Sequence, residues 1–183
     1  MNALSNNKFF FLTWEESINI CVANSSQKAP LDHILIPLLE GKNELPFDFI
    51  LNGEPQDYLP NNMAWPLMSE KMKQVIERNL TGHEKISWIS TNVKAGEDVF
   101  LYYVIRFDEK MDVLDLNRTT FVPGTDQIIR PCFSFDKVKK YNLFHKPGYS
   151  WRITPAVYIS ETLKNEIEKE NLSGVDFEKV MVA

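Results

Sequence analysis

Residues 69–82 read SEKMKQVIERNLTG, and this stretch predicts an amphipathic helix. Met72, Val75 and Ile76 fall on one face at the spacing of an α-helix. Ser69 suits the N-cap, because a serine oxygen accepts a backbone N–H of the first turn, and the closing glycine suits the C-terminal end.

Residues 160–174, SETLKNEIEKENLSG, repeat this pattern near the end of the chain. Ser160, Glu161 and Lys164 match the corresponding residues of the first helix at a constant offset. Two interpretations stay open at this point. Either a strand–turn–helix–strand unit is duplicated, or two capped helices have converged on the same chemistry.

Runs of β-favouring residues surround the two helices. The sequence predicts strands at 9–14, 99–105 and 175–182 within one mostly antiparallel sheet, with both helices packed on it. The run at 99–105 is apolar throughout, which favours a central position in the sheet. The predicted fold class is therefore α+β, a mostly antiparallel sheet with two main amphipathic helices. Shorter strands are predicted at 47–51, 86–91, 111–116 and 156–159.

Size and composition are those of a globular protein. The chain has 183 residues, 44% hydrophobic and 25% charged, which predicts a single domain over 1–183. Its longest apolar runs fall far short of the ~20 residues that span a bilayer, and no signal peptide is recognisable. The two cysteines, Cys21 and Cys132, lie far apart, which fits a reducing cytoplasm.

Motifs for catalysis and cofactor binding are not found. The seven glycines are too widely spaced for a phosphate-binding loop or a nucleophile elbow. The three histidines, His33, His83 and His145, are too far apart for a usual metal site. Cys132 with His83 or His145 is the one conceivable nucleophile–base pair, and a buried structural cysteine is the commoner explanation. We therefore predict no catalytic, metal or cofactor-binding residue and no small-molecule substrate.

Acidic residues are frequent in the stretch RFDEKMDVLDLNR, residues 106–118. Paired carboxylates could serve hydrolysis or bind a cation. Basic residues are interspersed, however, so we interpret Asp108 and Glu109 as part of a turn. We interpret Asp115 as an acceptor for local backbone or for Arg118.

Charge is distributed unevenly along a chain whose net charge is −5. Residues 30–62 are strongly acidic and loop-like, whereas residues 130–152 are basic and interleaved with aromatic residues. The basic segment could bind single-stranded nucleic acid by stacking and phosphate contacts. The net negative charge of the chain opposes this alternative.

From Trp65 onward the chain resembles an immunity-protein family of bacterial polymorphic toxin systems, the eleventh in the catalogued immunity series. The resemblance rests on short motifs in residues 65–183, the family-like core, whereas residues 1–64 form a variable N-terminal portion. The motifs are PLMSE at 66–70, YYV at 102–104, DVLD at 112–115, and VYISE at 157–161 leading to GVDF at 174–177.

The resemblance implies a cytoplasmic protein, without cofactor or active site, that binds and neutralises a cognate toxin domain. The alternatives are a small hydrolase or transferase with a scattered active site, and the nucleic-acid-binding module. For an inhibitor of a toxin that acts on nucleic acid, the acidic segment is the expected docking surface, with two aromatic anchors. A solvated acidic surface with contacts elsewhere stays open. The candidate partner-binding residues are Glu44, Asp48, Glu54, Asp57, Tyr58 and Trp65.

Ser69 and Ser160 are predicted to act as helix caps and not as nucleophiles. Replacing either serine with alanine should lower the free energy of unfolding by about 1 kcal/mol. Urea denaturation measures this loss. Partner binding below the melting transition should stay unchanged, and a variant that keeps its stability but loses binding would contradict the assignment.

Overall fold

The computed structural model describes residues 8–16, 21–26, 41–148 and 151–183. The fold is α+β with strand predominant, since 38% of the described residues lie in strands or bridges and 14% in helices. The helices are α1 Glu70–Arg78, α2 Phe135–Val138 and α3 Glu161–Lys169. The strands are β1 Phe9–Trp14, β2 Ala23–Ser25, β3 Phe49–Leu51, β4 Tyr58–Leu59, β5 Leu67–Ser69, β6 Ile86–Ala95, β7 Asp98–Phe107, β8 Thr120–Phe121, β9 Ile128–Arg130, β10 Leu143–His145, β11 Val157–Ser160 and β12 Val175–Lys179.

Two sheets organise the described strands, and β8 and β9 form a separate two-stranded sheet. The four-stranded sheet has the order β10-β11-β1-β12, with each neighbouring pair antiparallel. The six-stranded sheet has the order β2-β3-β6-β7-β5-β4 and is mixed, because β3 runs parallel to β6. β7 lies inside this sheet, with three strands on one side and two on the other, which confirms the central position predicted for residues 99–105.

The prediction of one sheet containing residues 9–14, 99–105 and 175–182 is wrong. β1 and β12 do pair antiparallel, but β7 pairs with β6 and β5 in the other sheet. The reason is the tight turn between β6 and β7, which makes hairpin pairing the local solution. A hydrophobic pattern identifies a strand without identifying its partners.

Both predicted helix starts are confirmed. Ser69 accepts the backbone N–H of Met72 at 3.1 Å, and Ser160 accepts that of Leu163 at 3.2 Å. α2 is a third, short helix that the pattern did not predict. Among the described residues, no helix has the length and apolar character needed to cross a membrane.

The strand predicted at 111–116 is also wrong. Leu114 makes a single bridge to Phe133, and the chain then turns. The Asp115 side chain accepts the backbone N–H of Asn117 at 3.0 Å and lies 3.8 Å from the guanidinium of Arg118, as expected from the sequence. This local turn ends the pairing before a ladder can form.

Two hydrophobic clusters fill the interior. The larger one includes the inner faces of α1 and α3 and the side chains of Phe9, Phe107, Phe133 and Phe144. The smaller one lies on the other face of the six-stranded sheet and contains Phe49 and Trp65. The six-stranded sheet is therefore covered on one face by helix and on the other by loops.

The two similar helices belong to two units of the same topology. In one unit the strand order is β4-β5-β7-β6 with α1 between β5 and β6. In the other it is β10-β11-β1-β12 with α3 between β11 and β12. Each pairing inside both units is antiparallel. β1 thus takes the place of β7, although it comes from the opposite end of the chain.

Register matches as well as order. The cap serine Ser69 pairs with Tyr102 on β7, and Ser160 pairs with Phe9 on β1. Five residues after Tyr102, β7 pairs with Ile86, and five residues after Phe9, β1 pairs with Val175. Lys73 lies over the Tyr103 ring at 4.3 Å, and its counterpart Lys164 lies over the Phe10 ring at 5.3 Å. Convergence of two helix caps does not require equal register, so the structure favours the duplicated unit.

Hydrogen bonds clasp the two units together at the helix termini. Asp57 accepts the Ser69 hydroxyl at 2.7 Å, and its other oxygen accepts the N–H and O–H of Ser173 at 2.9 and 3.0 Å. In the equivalent place Asn142 accepts the Ser160 hydroxyl at 2.6 Å and donates to the carbonyl of Asn79 at 2.7 Å. Each start of a helix is therefore linked to the end of the other.

Gly174 lies against this clasp and should not tolerate a side chain. Its φ of +76° favours glycine, and an added Cβ would lie 2.4 Å from the carbonyl oxygen of Tyr58. We expect Gly174→Ala to lower the free energy of unfolding by roughly 3 kcal/mol. Gly82→Ala is the matched control, because Gly82 has φ +89° but open space around it, and should cost about 1 kcal/mol. Equal losses in urea denaturation would contradict the clash.

Candidate functional site

The acidic segment lies partly on the surface. Asp32 and Glu40 fall outside the described residues. Glu44 and Glu54 are exposed, whereas Asp48 is half-buried and lies 2.6 Å from the Lys94 ammonium group. Hydrogen bonds from Lys94 and Asn92 stabilise the charged form of Asp48 and lower its pKa.

Asp57 has a structural role. Both carboxylate oxygens are engaged in the clasp with Ser69 and Ser173. The side chain is half-buried, so a partner could reach it only by displacing these bonds.

The two aromatic residues predicted as anchors are not on the surface. Tyr58 and Trp65 are each only 3% exposed. Tyr58 packs in the larger cluster, where burial raises its pKa, and Trp65 contacts Phe47 at a ring distance of 6.3 Å. The short strand β4 and the chain before β5 carry both rings into the interior, so a partner could contact them only after a rearrangement, and their role as anchors stays a prediction.

Exposed apolar side chains occur instead on the helix-bearing face of the six-stranded sheet. Ile50, Val99 and Leu101 are 49%, 59% and 52% exposed. Pairing places Asn24, Ile50, Lys94 and Val99 in one row across β2, β3, β6 and β7, with Asn92 opposite Leu101 in the next row. These six residues form what we call the open face.

Helix α1 covers only part of this sheet. Its nine residues extend about 14 Å, whereas the ten residues of β7 extend about 33 Å. Ile105 and Phe107 therefore lie under the helix and are buried, while Val99 and Leu101, which alternate onto the same face, lie beyond it.

Carboxylates rim the open face. Glu44 forms an isolated backbone β-bridge with Ser90 on β6. Glu97 is exposed at the turn between β6 and β7, and Glu70 is the first residue of α1, beside Tyr103. The hydrogen bond between Tyr103 and Glu70 raises the pKa of the phenol to about 12 and lowers the pKa of the carboxyl. Charge on the rim is thus predominantly negative.

A separate cleft of about 970 Å³ contains His145 in its lining. The backbone N–H of Met111 donates to Nε2 at 3.2 Å, so Nδ1 carries the proton and lies 3.0 Å from the carbonyl oxygen of Lys146. Desolvation lowers the pKa of His145. Both ring nitrogens therefore serve the backbone.

The other candidate catalytic groups have structural environments too. Cys132 is buried, and desolvation raises the pKa of its thiol, which disfavours a nucleophilic thiolate. His83 is exposed and meets the edge of Tyr141. His33 lies outside the described residues. Among the residues that are described, no group of three or more His, Cys, Asp or Glu could hold a metal ion.

The carboxylates at 106–118 point to separate partners. Asp108 accepts the Ser87 hydroxyl at 3.0 Å, and Asp112 lies 2.8 Å from the Lys137 ammonium group. Each of these two carboxylates is therefore engaged in its own structural contact.

Part of the basic aromatic segment 130–152 belongs to the core. Phe133 and Phe144 are completely buried, and their rings contact each other at 5.0 Å. Lys137 and Lys139 are paired with Asp112 and Asp136. Two of the rings and two of the ammonium groups that could contact single-stranded nucleic acid are therefore engaged in the fold.

Comparison with known proteins gives a family match. The model described as "Immunity protein family (Imm11)" matches residues 14–182. The match thus extends over most of the portion before Trp65, which supplies strands to both sheets. No curated protein matches the chain.

Burial of neutral His145 predicts a dependence of stability on pH. Its pKa is lowered in the folded state, so the unfolded chain takes up a proton first as the pH falls through about 6.5. The free energy of unfolding should be level near pH 7.5 and fall by about 1 kcal/mol towards pH 5.5.

Urea denaturation at each pH measures this dependence. His83→Gln should retain it, because that ring is exposed, whereas His145→Gln should be less stable overall and lose most of it. A wild-type protein equally stable at both pH values would show that His145 is not held neutral.

Proposed function

The chain belongs to the Immunity protein family (Imm11), and we propose on this basis that it binds and neutralises a cognate toxin domain through a protein–protein interface. The match over residues 14–182 carries the proposal. The toxin would belong to a bacterial polymorphic toxin system, and the chain would act in the cytoplasm of the producing cell. Inhibition would require neither catalysis nor a cofactor.

The surface supports this reading in two ways. Glu44 and Glu54 are exposed carboxylates of the acidic segment, suited to a basic partner. The candidate nucleophile Cys132 is buried. Both ring nitrogens of His145, a candidate base, contact backbone groups.

Protection of a toxin-expressing cell tests the proposal directly. The partner to use is a toxic C-terminal domain of the kind that a gene next to an immunity gene is expected to encode. Co-expression should restore growth, and the purified proteins should form a stable complex in size-exclusion chromatography. An unrelated toxin domain serves as the control. Failure both to protect and to bind would refute the function.

Exposed carboxylates of the acidic segment should accelerate docking. We expect Glu44→Lys with Glu54→Lys to slow association with the toxin about tenfold at low ionic strength, because complementary charge steers the encounter. Asp48 and Asp57 stay unchanged in this variant, since both hold the fold together.

Stopped-flow association kinetics measure the effect. Glu109→Lys with Glu178→Lys is the matched control, as both residues are exposed elsewhere on the surface. Equal slowing by the two double variants would mean that net charge alone is responsible and that the acidic segment has no special part in docking.

A further inference from the structure

The open face contains apolar exposure that the repeated unit does not require. Leu101 immediately precedes Tyr102, the residue paired with Ser69. In the other unit the equivalent position is Lys8, which immediately precedes Phe9, the residue paired with Ser160. Lys8 lies 3.2 Å from the Glu161 carboxylate. The same place in the fold therefore accepts a solvated ion pair, yet at Leu101 it carries a half-exposed leucine.

The open face is also an extension of the repeated unit. β6 and β7 have ten residues each, whereas their counterparts β12 and β1 have five and six. The added length carries Val99 and Leu101 beyond the helix, and β3 and β2 widen the sheet on that side. Exposed apolar side chains grouped on one face of a sheet are typical of a protein-binding site.

Charge indicates the kind of partner. Four carboxylates surround or cross the face, from Glu44, Asp48, Glu70 and Glu97. The ammonium groups there, from Lys73 and Lys94, already lie within 3.6 and 2.6 Å of Glu70 and Asp48. Two copies of such a surface would repel each other, which disfavours self-association, whereas a basic rim on a partner would complement it.

We propose that the open face, centred on Ile50, Val99 and Leu101, is the docking surface for the toxin, and that the toxin meets it with an apolar patch ringed by Lys and Arg. This inference rests on the function proposed above and names the surface and the partner chemistry. The apolar centre supplies affinity, and the acidic rim supplies orientation and a fast encounter.

The apolar centre is tested by calorimetric titration of the full chain with the toxin domain against which it protects cells. The variant Ile50→Thr, Val99→Thr, Leu101→Thr places a β-branched side chain at each of the three strand positions but removes apolar surface. It should bind about a hundredfold more weakly than the wild type. The control Leu116→Thr, Ile129→Thr alters residues that are 65% and 60% exposed elsewhere and should stay within threefold.

The rim is tested by association kinetics. Glu97→Lys should slow association about tenfold at low ionic strength and much less at high salt, whereas Glu178→Lys should leave the rate nearly unchanged. Circular dichroism and the melting temperature confirm that each variant is folded.

The outcomes separate this inference from the proposed function. If the wild type protects cells and binds the toxin, but the triple threonine variant binds within threefold of it, the open face is not the docking surface. If the wild type is instead a dimer in sedimentation velocity and the triple variant is a monomer, the open face binds a second copy of the chain and the inference is wrong. A wild type that neither binds nor protects refutes both.

Discussion

The fold depends on a pair of hydrogen-bonded clasps at the helix termini. At each one, the residue directly before an edge strand accepts the hydroxyl of a cap serine, Asp57 for Ser69 and Asn142 for Ser160. The same side chain reaches the chain that leaves the other helix. A half-buried polar group left without its partner costs about 1–3 kcal/mol, so neither unit can shift without penalising both. The hydrogen bonds of Asp57 and Asn142 therefore hold the two sheets in place on their shared core.

Local chemistry explains what could be predicted from the sequence. The bounds of α1 and α3 are encoded locally, within 15 residues each. A serine marks the start, apolar residues at helical spacing follow, and a glycine stands a few residues beyond the end. The strands predicted at 9–14, 86–91 and 99–105 are recognisable by their β-branched and aromatic residues. Strand partners are not encoded in this way, because any apolar strand satisfies any apolar neighbour. The assignment of β1 and β7 to one sheet failed for this reason.

Burial and exposure at the candidate site depended on tertiary packing. Tyr58 lies among turn-forming residues and resembled a loop residue, yet a two-residue strand inserts it into the core. Val99 and Leu101 lie in an apolar run and resembled core residues, yet the helix that would cover them is too short to reach them. Neither outcome follows from spacing along the chain, since both depend on how far one element extends over another.

The exchange of β1 for β7 has a consequence for how the protein is made. β1 lies between β11 and β12, so residues 9–14 have no strand partner until residues 157–179 have been synthesised. At ribosomal speeds of 5–20 residues per second this interval is roughly 10–30 s. During that time the aromatic segment FFFLTW lacks its strand partners and is available for binding by chaperones. Completion of the four-stranded sheet is therefore a late, all-or-none event, and a truncated chain would lack it.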